Sequence, residues 1–261
     1  MEVHAHTHTA RKKWTHYLWE FLMLFLAVFC GFLAENIREH KVEKDRAKEL
    51  AKSFYEELKG DSASVVAKSQ YRIRQENALK YLMKYFKDSS LANISKTFEL
   101  NFQYGVNFRS PSLFEPRTVV LEQLKNSGSL RYFKNNELQK LIGDISVAIH
   151  NINDRQALEG LVRIEYVNPI IVRHYDFDFN SRLSQDGLVS VIKATEDYEK
   201  SNQVIPFQFK SVEKFDKQGT INALGFYCFN AMSSTRTLHF QKYMEVNARL
   251  LALLRSEYHI K

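Results

Sequence analysis

Residues Tyr17 to Ala34 read YLWEFLMLFLAVFCGFLA, and Glu20 is the single carboxylate among Leu, Phe, Val, Ala and aromatic side chains. A run this apolar has to leave water. The hydrocarbon core of a bilayer, roughly 30 Å thick, is crossed by about 20 apolar residues of helix at about 1.5 Å each. Counting from Trp14 to Ala34 reaches that length. The remainder of the chain is charged and soluble in character, so the pattern predicts one anchor with one large domain behind it. The expected boundaries are a polar tail over 1–13, a transmembrane helix over 14–34, a membrane-proximal stalk helix over 35–59 and a helical soluble domain over 60–261.

Two kinds of removable leader compete with an anchor. A signal-peptide cleavage site needs small side chains in an A-x-A arrangement, but the run ends Cys30-Gly31-Phe32-Leu33-Ala34 and places Phe32 where a small residue belongs. A lipoprotein site at Cys30 fails on Phe29, which stands where processing requires a small residue. The run therefore reads as an uncleaved span, its partner the lipid bilayer. Trp14, Trp19 and Phe21 mark its aromatic edge, and Leu26 and Phe32 its lipid-facing interior. Glu20 lies near the Trp14 end, within reach of headgroups, and reads as an interfacial residue instead of an intramembrane site. The compact cluster Arg11-Lys12-Lys13 favours an inside N-terminus, with the domain on the periplasmic side of a bacterial inner membrane. The Lys and Arg count after the span pulls the other way, though long domains translocate largely regardless of charge.

The net charge of +7 does not point to nucleic acid, because the basic residues are dispersed among Asp and Glu with no basic stripe. Nine glycines and four prolines in 261 residues favour long helices over many short strands. The two cysteines, Cys30 in the apolar run and Cys228 far downstream, are not expected to pair.

Periodicity orders the domain as a helical bundle. Ile37, Ala47, Leu50, Ala51, Phe54 and Leu58 continue the anchor as an amphipathic stalk. Gly60-Asp61-Ser62 reads as a break that caps a second helix over 62–87, with Val65, Val66, Ile73, Leu79, Leu82, Met83 and Phe86 on one side. From Phe98 to Phe108 apolar and polar residues alternate strictly, a strand signal. Tyr175, Phe177 and Phe179, then Ile205, Phe207 and Phe209, echo it. These stretches either pair as a small sheet or lie extended over the helices with aromatics inward. Helix resumes near Pro116 and ends at Gly128, restarts after Asn135 with Leu138, Leu141, Ile142, Ile145, Ile149 and Ile152, and continues towards Pro169. A last long helix is expected from about Thr220 to Tyr258.

The run Lys12 to Phe21 (KKWTHYLWEF), the exit Ala34 to Glu39 (AENIRE) and Leu121 to Gly128 (LEQLKNSG) resemble an uncharacterised family of bacterial single-span membrane proteins. The resemblance extends over the whole length, and its specific part is the first 60 residues. It implies a similar anchor and charged helix before a mainly helical domain. It implies no established activity, and no catalytic residue is carried over from it.

The common catalytic and cofactor signatures are missing from the sequence: there is no G-x-G-x-x-G, P-loop, G-x-S-x-G, H-E-x-x-H or C-x-x-C. No cofactor and no enzyme activity are expected. The weak metal candidates are His4, His6 and His8 in the tail, read as a leader with opportunistic metal affinity, and Asp176 with Asp178 beside His174, which would share one face of an extended segment. Loop carboxylates outside an aromatic edge are the blander explanation of that pair. Asn93-Ile94-Ser95 is a sequon that matters only in a eukaryotic secretory pathway. Two functions are expected of such a chain. The first is a membrane-anchored interaction or scaffold protein, working as a homo-oligomer or with a membrane-protein partner. The second is a ligand-sensing helical module acting through such a partner.

Overall fold

A computed structural model describes residues 14–92 and 94–260, and these are helical with no strand. The helices are α1 (Trp14–Asp88), α2 (Lys96–Phe102), α3 (Val119–Asn126), α4 (Asn136–Val162), α5 (Asn168–His174), α6 (Phe177–Ser184), α7 (Val191–Lys200), α8 (Lys217–Gly225) and α9 (Gln241–Tyr258). Wider π turns come after α2 (Gln103–Asn107) and α4 (Arg163–Val167), and two more (Phe226–Ser233 and Thr235–Phe240) link α8 to α9. The chain divides into two compact units, one up to Leu50 and one from Ala51.

In the first unit the side chains of the apolar run are exposed, and α1 is long and apolar enough by length and composition to cross a membrane. Phe21, Phe25 and Phe29 stack in an i,i+4 ladder, with centroids 6.3 and 5.9 Å apart. Glu20 meets His16 Nε2 at 3.0 Å, one turn towards Trp14. Beyond the run, Glu35 accepts from Arg38 Nε at 2.9 Å, and this hydrogen bond holds its carboxyl below the ordinary value.

The second unit is built around α1 from Ala51 to Asp88. One predicted feature is overturned here: α1 runs through Gly60 without a break. A Cβ at Gly60 would come within 2.9 Å of the Arg117 guanidinium, so the glycine admits a neighbouring side chain and ends nothing. Asp61 caps no helix either. Its Oδ2 accepts from the Arg117 backbone N–H at 2.9 Å and from the Tyr243 hydroxyl at 3.1 Å. Val66 and Ile73, expected on the inner side, are exposed.

The strand signal at 98–108 is also corrected. This stretch is α2 and its π turn, and Phe98, Phe102, Tyr104, Val106 and Phe108 are all buried. Tyr175 and Phe179 are buried as expected, but Phe177 is exposed because the residues from Phe177 onward form α6. The third stretch matches the second of its two expected forms. Ile205, Phe207 and Phe209 lie in an irregular segment, buried at alternate positions, and Phe207 and Phe209 pack their rings on Phe102 and Phe98. With Phe86, Tyr175 and Phe179 they form the aromatic half of the core.

Several local expectations hold. The Asn135 side chain accepts from the N–H groups of Glu137 and Leu138 to start α4, and Gly128 takes the left-handed conformation after α3, φ +70°. One does not: Pro116, expected in a first helical turn, lies outside the helix in an irregular segment, and α3 starts only at Val119. Cys30 and Cys228 are free thiols.

Gly105 sets how closely α2's π turn approaches α1. A Cβ there would lie 3.2 Å from both Ala78 Cβ and the Leu79 backbone nitrogen. Backbone is slow to yield, so Gly105→Val should destabilise the fold by about 1–3 kcal/mol through overpacking. Thermal unfolding of the purified chain measures this, and an unchanged midpoint would remove the close-packing account of the glycine.

Candidate functional site

At the centre of the second unit a polar layer interrupts the apolar core. Arg72 is fully buried. A guanidinium carries five N–H donors, and each has an acceptor here. Nε donates to Ser112 O at 3.0 Å, and Nη1 to Glu159 Oε1 at 2.7 Å and Met232 O at 3.3 Å. Nη2 donates to Gln156 Oε1 at 3.3 Å and Glu159 Oε2 at 3.0 Å. The Phe240 ring lies 4.6 Å from the Arg72 guanidinium carbon. Gln156 also bonds both backbone groups of Phe114, accepting from its N–H at 2.8 Å and donating to its carbonyl at 2.9 Å. One turn along α1, buried Glu76 accepts from Arg236 Nε at 2.7 Å and Nη2 at 2.8 Å, a bidentate pair that raises the Arg236 pKa.

The two π turns before α9 meet this layer, and the first two are tied to each other. Met232 lies in the third, Arg236 and Phe240 lie in the fourth, and Arg163 of the second donates to Asn107 O of the first at 3.0 Å. Burial pushes the Tyr227 phenol up, a shift that the neighbouring Arg163 opposes. π turns recur where a side chain has been re-aimed for a task. The layer fixes which helix turns face one another, since any slip would strand a buried charge.

A second polar cluster lies nearer the N-terminal end of this bundle. Burial raises the Asp61 pKa, while its hydrogen bonds from Arg117 and Tyr243 pull the other way. The folded state then holds this proton more tightly than the unfolded chain does. Its stabilising contribution is complete below the ordinary Asp value of about 3.9 and is lost as pH rises through the raised value. Asp61→Asn removes the titration. The wild-type midpoint should therefore fall relative to the variant's as pH rises from about 4 to about 7. Parallel pH curves for the two proteins would contradict the assignment.

Of the residues singled out in the sequence, His4, His6 and His8 lie outside the described residues. Asp176 and Asp178 do not share a face, because the chain enters α6 between them: Asp176 is buried at the N-terminus of α6 and Asp178 is exposed. Asp176 Oδ2 accepts from the Gln208 N–H at 3.2 Å and meets Arg182 Nη2 at 3.4 Å, and Oδ1 is 3.3 Å from Lys210 Nζ. Two cations already face this carboxylate. His174 Nδ1 bonds the Lys210 carbonyl at 2.9 Å and its ring stacks on Phe209, so it too is engaged in packing. No group of three or more His, Cys, Asp or Glu with metal-holding geometry occurs among the described residues. Of the anchor residues, Trp14, Trp19, Phe21, Leu26 and Phe32 all carry exposed side chains.

Two surface features complete the description. A cleft of about 490 Å3 opens between α1, α2 and α7, with Gln70, Arg74, Asn77, Asn101, Tyr104 and Glu199 on its walls. Arg74 stacks 3.4 Å above the centroid of the Tyr104 ring and pairs with Glu199 at 2.5 Å, and the Tyr104 hydroxyl donates to the same carboxylate at 3.1 Å. Elsewhere, Leu158, Leu161 and Ile164 recur every third residue on the outside of α4 and its π turn, all exposed. Exposed Phe226 and Phe229 lie on the helical stretch after α8, and the Phe226 ring contacts Tyr166.

These features define a helical bundle with a buried ionic layer, preceded by a helix apolar enough to span a membrane. Comparison of the chain with protein-family models, curated proteins and solved structures gives no match.

Proposed function

We propose that the chain is a membrane-anchored interaction or scaffold protein. In this reading residues 14–34 lie in the inner membrane of a bacterium, and the helical domain works on the periplasmic side. The observation that carries it is a surface bearing the apolar line Leu158, Leu161 and Ile164 beside Phe226 and Phe229, outside the buried hydrophobic core. Exposed apolar side chains grouped on neighbouring elements favour contact with another protein, a second copy or a membrane-protein partner. The resemblance to bacterial single-span proteins supports the same topology. No reaction and no cofactor is assigned.

In-cell crosslinking of the full chain, then affinity purification from detergent-solubilised membranes, tests the proposal. Discrete homo-oligomers or a partner captured through residues of this line are expected; monomer alone would overturn it. For orientation, a C-terminal phosphatase fusion should be active, whereas an inactive phosphatase beside a fluorescent GFP fusion would reverse the topology.

The ligand-sensing reading has one observation in its favour. Gln70, Arg74 and Asn77 of the cleft share two turns of α1 with Arg72 and Glu76 of the buried layer. A sensor would couple cleft occupancy to that layer, and a ligand-dependent change in its hydrogen-exchange protection would favour this second reading.

A further inference from the structure

The cleft between α1, α2 and α7 has a lining that selects among ligands. Its one cation and one anion, Arg74 and Glu199, are spent on each other at 2.5 Å. The remaining polar wall is uncharged: Gln70 and Asn77 from α1, Thr97 and Asn101 from α2. An ionic ligand would find no unmatched counter-charge there. The aromatic wall is closed as well, because the Arg74 guanidinium covers the face of Tyr104 at 3.4 Å. A sugar ring or a base that needed an open aromatic face would find it occupied.

What the cleft does offer is planar amides on facing helices over an apolar base. The Asn101 Nδ2 donates to the Thr97 carbonyl at 2.7 Å, which orients the amide and leaves Oδ1 to accept. Asn77 and Gln70 each carry a donor and an acceptor. Exposed Ile73 and half-buried Leu100, with buried Ala78, supply the apolar base. An extended backbone presents N–H and C=O groups in alternation, with side chains to either side. Amides pair with such a backbone, and the apolar base takes one of its side chains. The volume of about 490 Å3 lies in the range of ligand clefts, about 300–1,000 Å3.

We propose that this cleft binds an uncharged, extended peptide segment of a partner protein through Asn77, Asn101 and Gln70. The inference rests on the interaction function proposed for the chain and deepens it by naming the partner's chemistry. A library of linear random peptides displayed on phage is selected against the full chain in detergent. Enriched peptides are then synthesised and their binding is measured by fluorescence anisotropy. The expected peptides are poor in Asp, Glu, Lys and Arg, and their affinity changes little with salt, since no net charge is paired on binding. Asn77→Ala with Asn101→Ala should weaken binding at least about 10-fold, as truncating central contacts does, while the thermal midpoint falls only by the loss of the single Asn101–Thr97 hydrogen bond. Gln70→Trp, which fills the cleft without removing either asparagine, should give a similar loss. Failure to enrich any peptide, equal binding to both variants, or charged peptides whose affinity collapses with salt would overturn the proposal. If the double variant still captures its partner in membranes, the cleft assignment fails and the interaction reading stands. If neither wild type nor variant crosslinks to anything, the interaction reading itself fails.

Discussion

Arg72→Ala is expected to destabilise the protein by about 3–5 kcal/mol, the cost of leaving a buried charge without its partner. The stranded group is Glu159, nearly inaccessible and bonded to both terminal nitrogens of Arg72. The Ser112 and Met232 carbonyls lose their donor at the same time. A double change, Arg72→Met with Glu159→Leu, removes both charges and approximates their volume, so much of the loss should be recovered. Denaturant unfolding of the full chain in detergent measures both. If Arg72→Ala costs less than about 1 kcal/mol, the typical worth of an exposed pair, the layer is not what organises the bundle.

Leu26→Arg should strip the apolar helix of its membrane affinity. Exchanging a leucine for an arginine near the middle of a span costs about 3–4 kcal/mol on insertion scales. Trp14→Arg, at the end of the run where the side chain reaches headgroups, should cost far less. Carbonate extraction of cell membranes separates the outcomes: Leu26→Arg should move from the pellet to the soluble or degraded fraction while Trp14→Arg stays. Equal retention of both would show that α1 does not span a bilayer at this position.

Much of the helical order is legible in the sequence. The α4 stripe, its Asn135 cap and the left-handed Gly128 obey local rules that the surrounding structure respects. The alternation from Phe98 to Phe108 misleads because this short helix is buried on several sides and then widens into a π turn. The 3.6-residue period has neither an exposed face nor a constant pitch there. Gly60 misleads because a glycine that admits Arg117 and one that ends a helix are alike in sequence.

The polar layer does leave a signal in the chain, one that periodicity of apolar residues alone passes over. Val65, Arg72, Leu79 and Phe86 are spaced by sevens along α1, and all four are buried. The α4 stripe Ile145, Ile149, Ile152 runs on at the same spacing into Gln156, Glu159 and Arg163. Charged residues at inward positions of two long helices announce a pairing. Its geometry is out of reach of the sequence, because the partners lie 40 to 160 residues apart and the π turns that aim them have no sequence signature.

The span of those contacts has a consequence for synthesis. Arg72 leaves the ribosome long before Glu159, and Met232, Arg236 and Phe240 emerge later still. Until they emerge, the guanidinium has water where its carboxylate and carbonyls will be, and the stripe flanking it has no helix to cover it. A core completed only by the turns before α9 waits, unfinished and adhesive, while the ribosome adds about 5–20 residues each second.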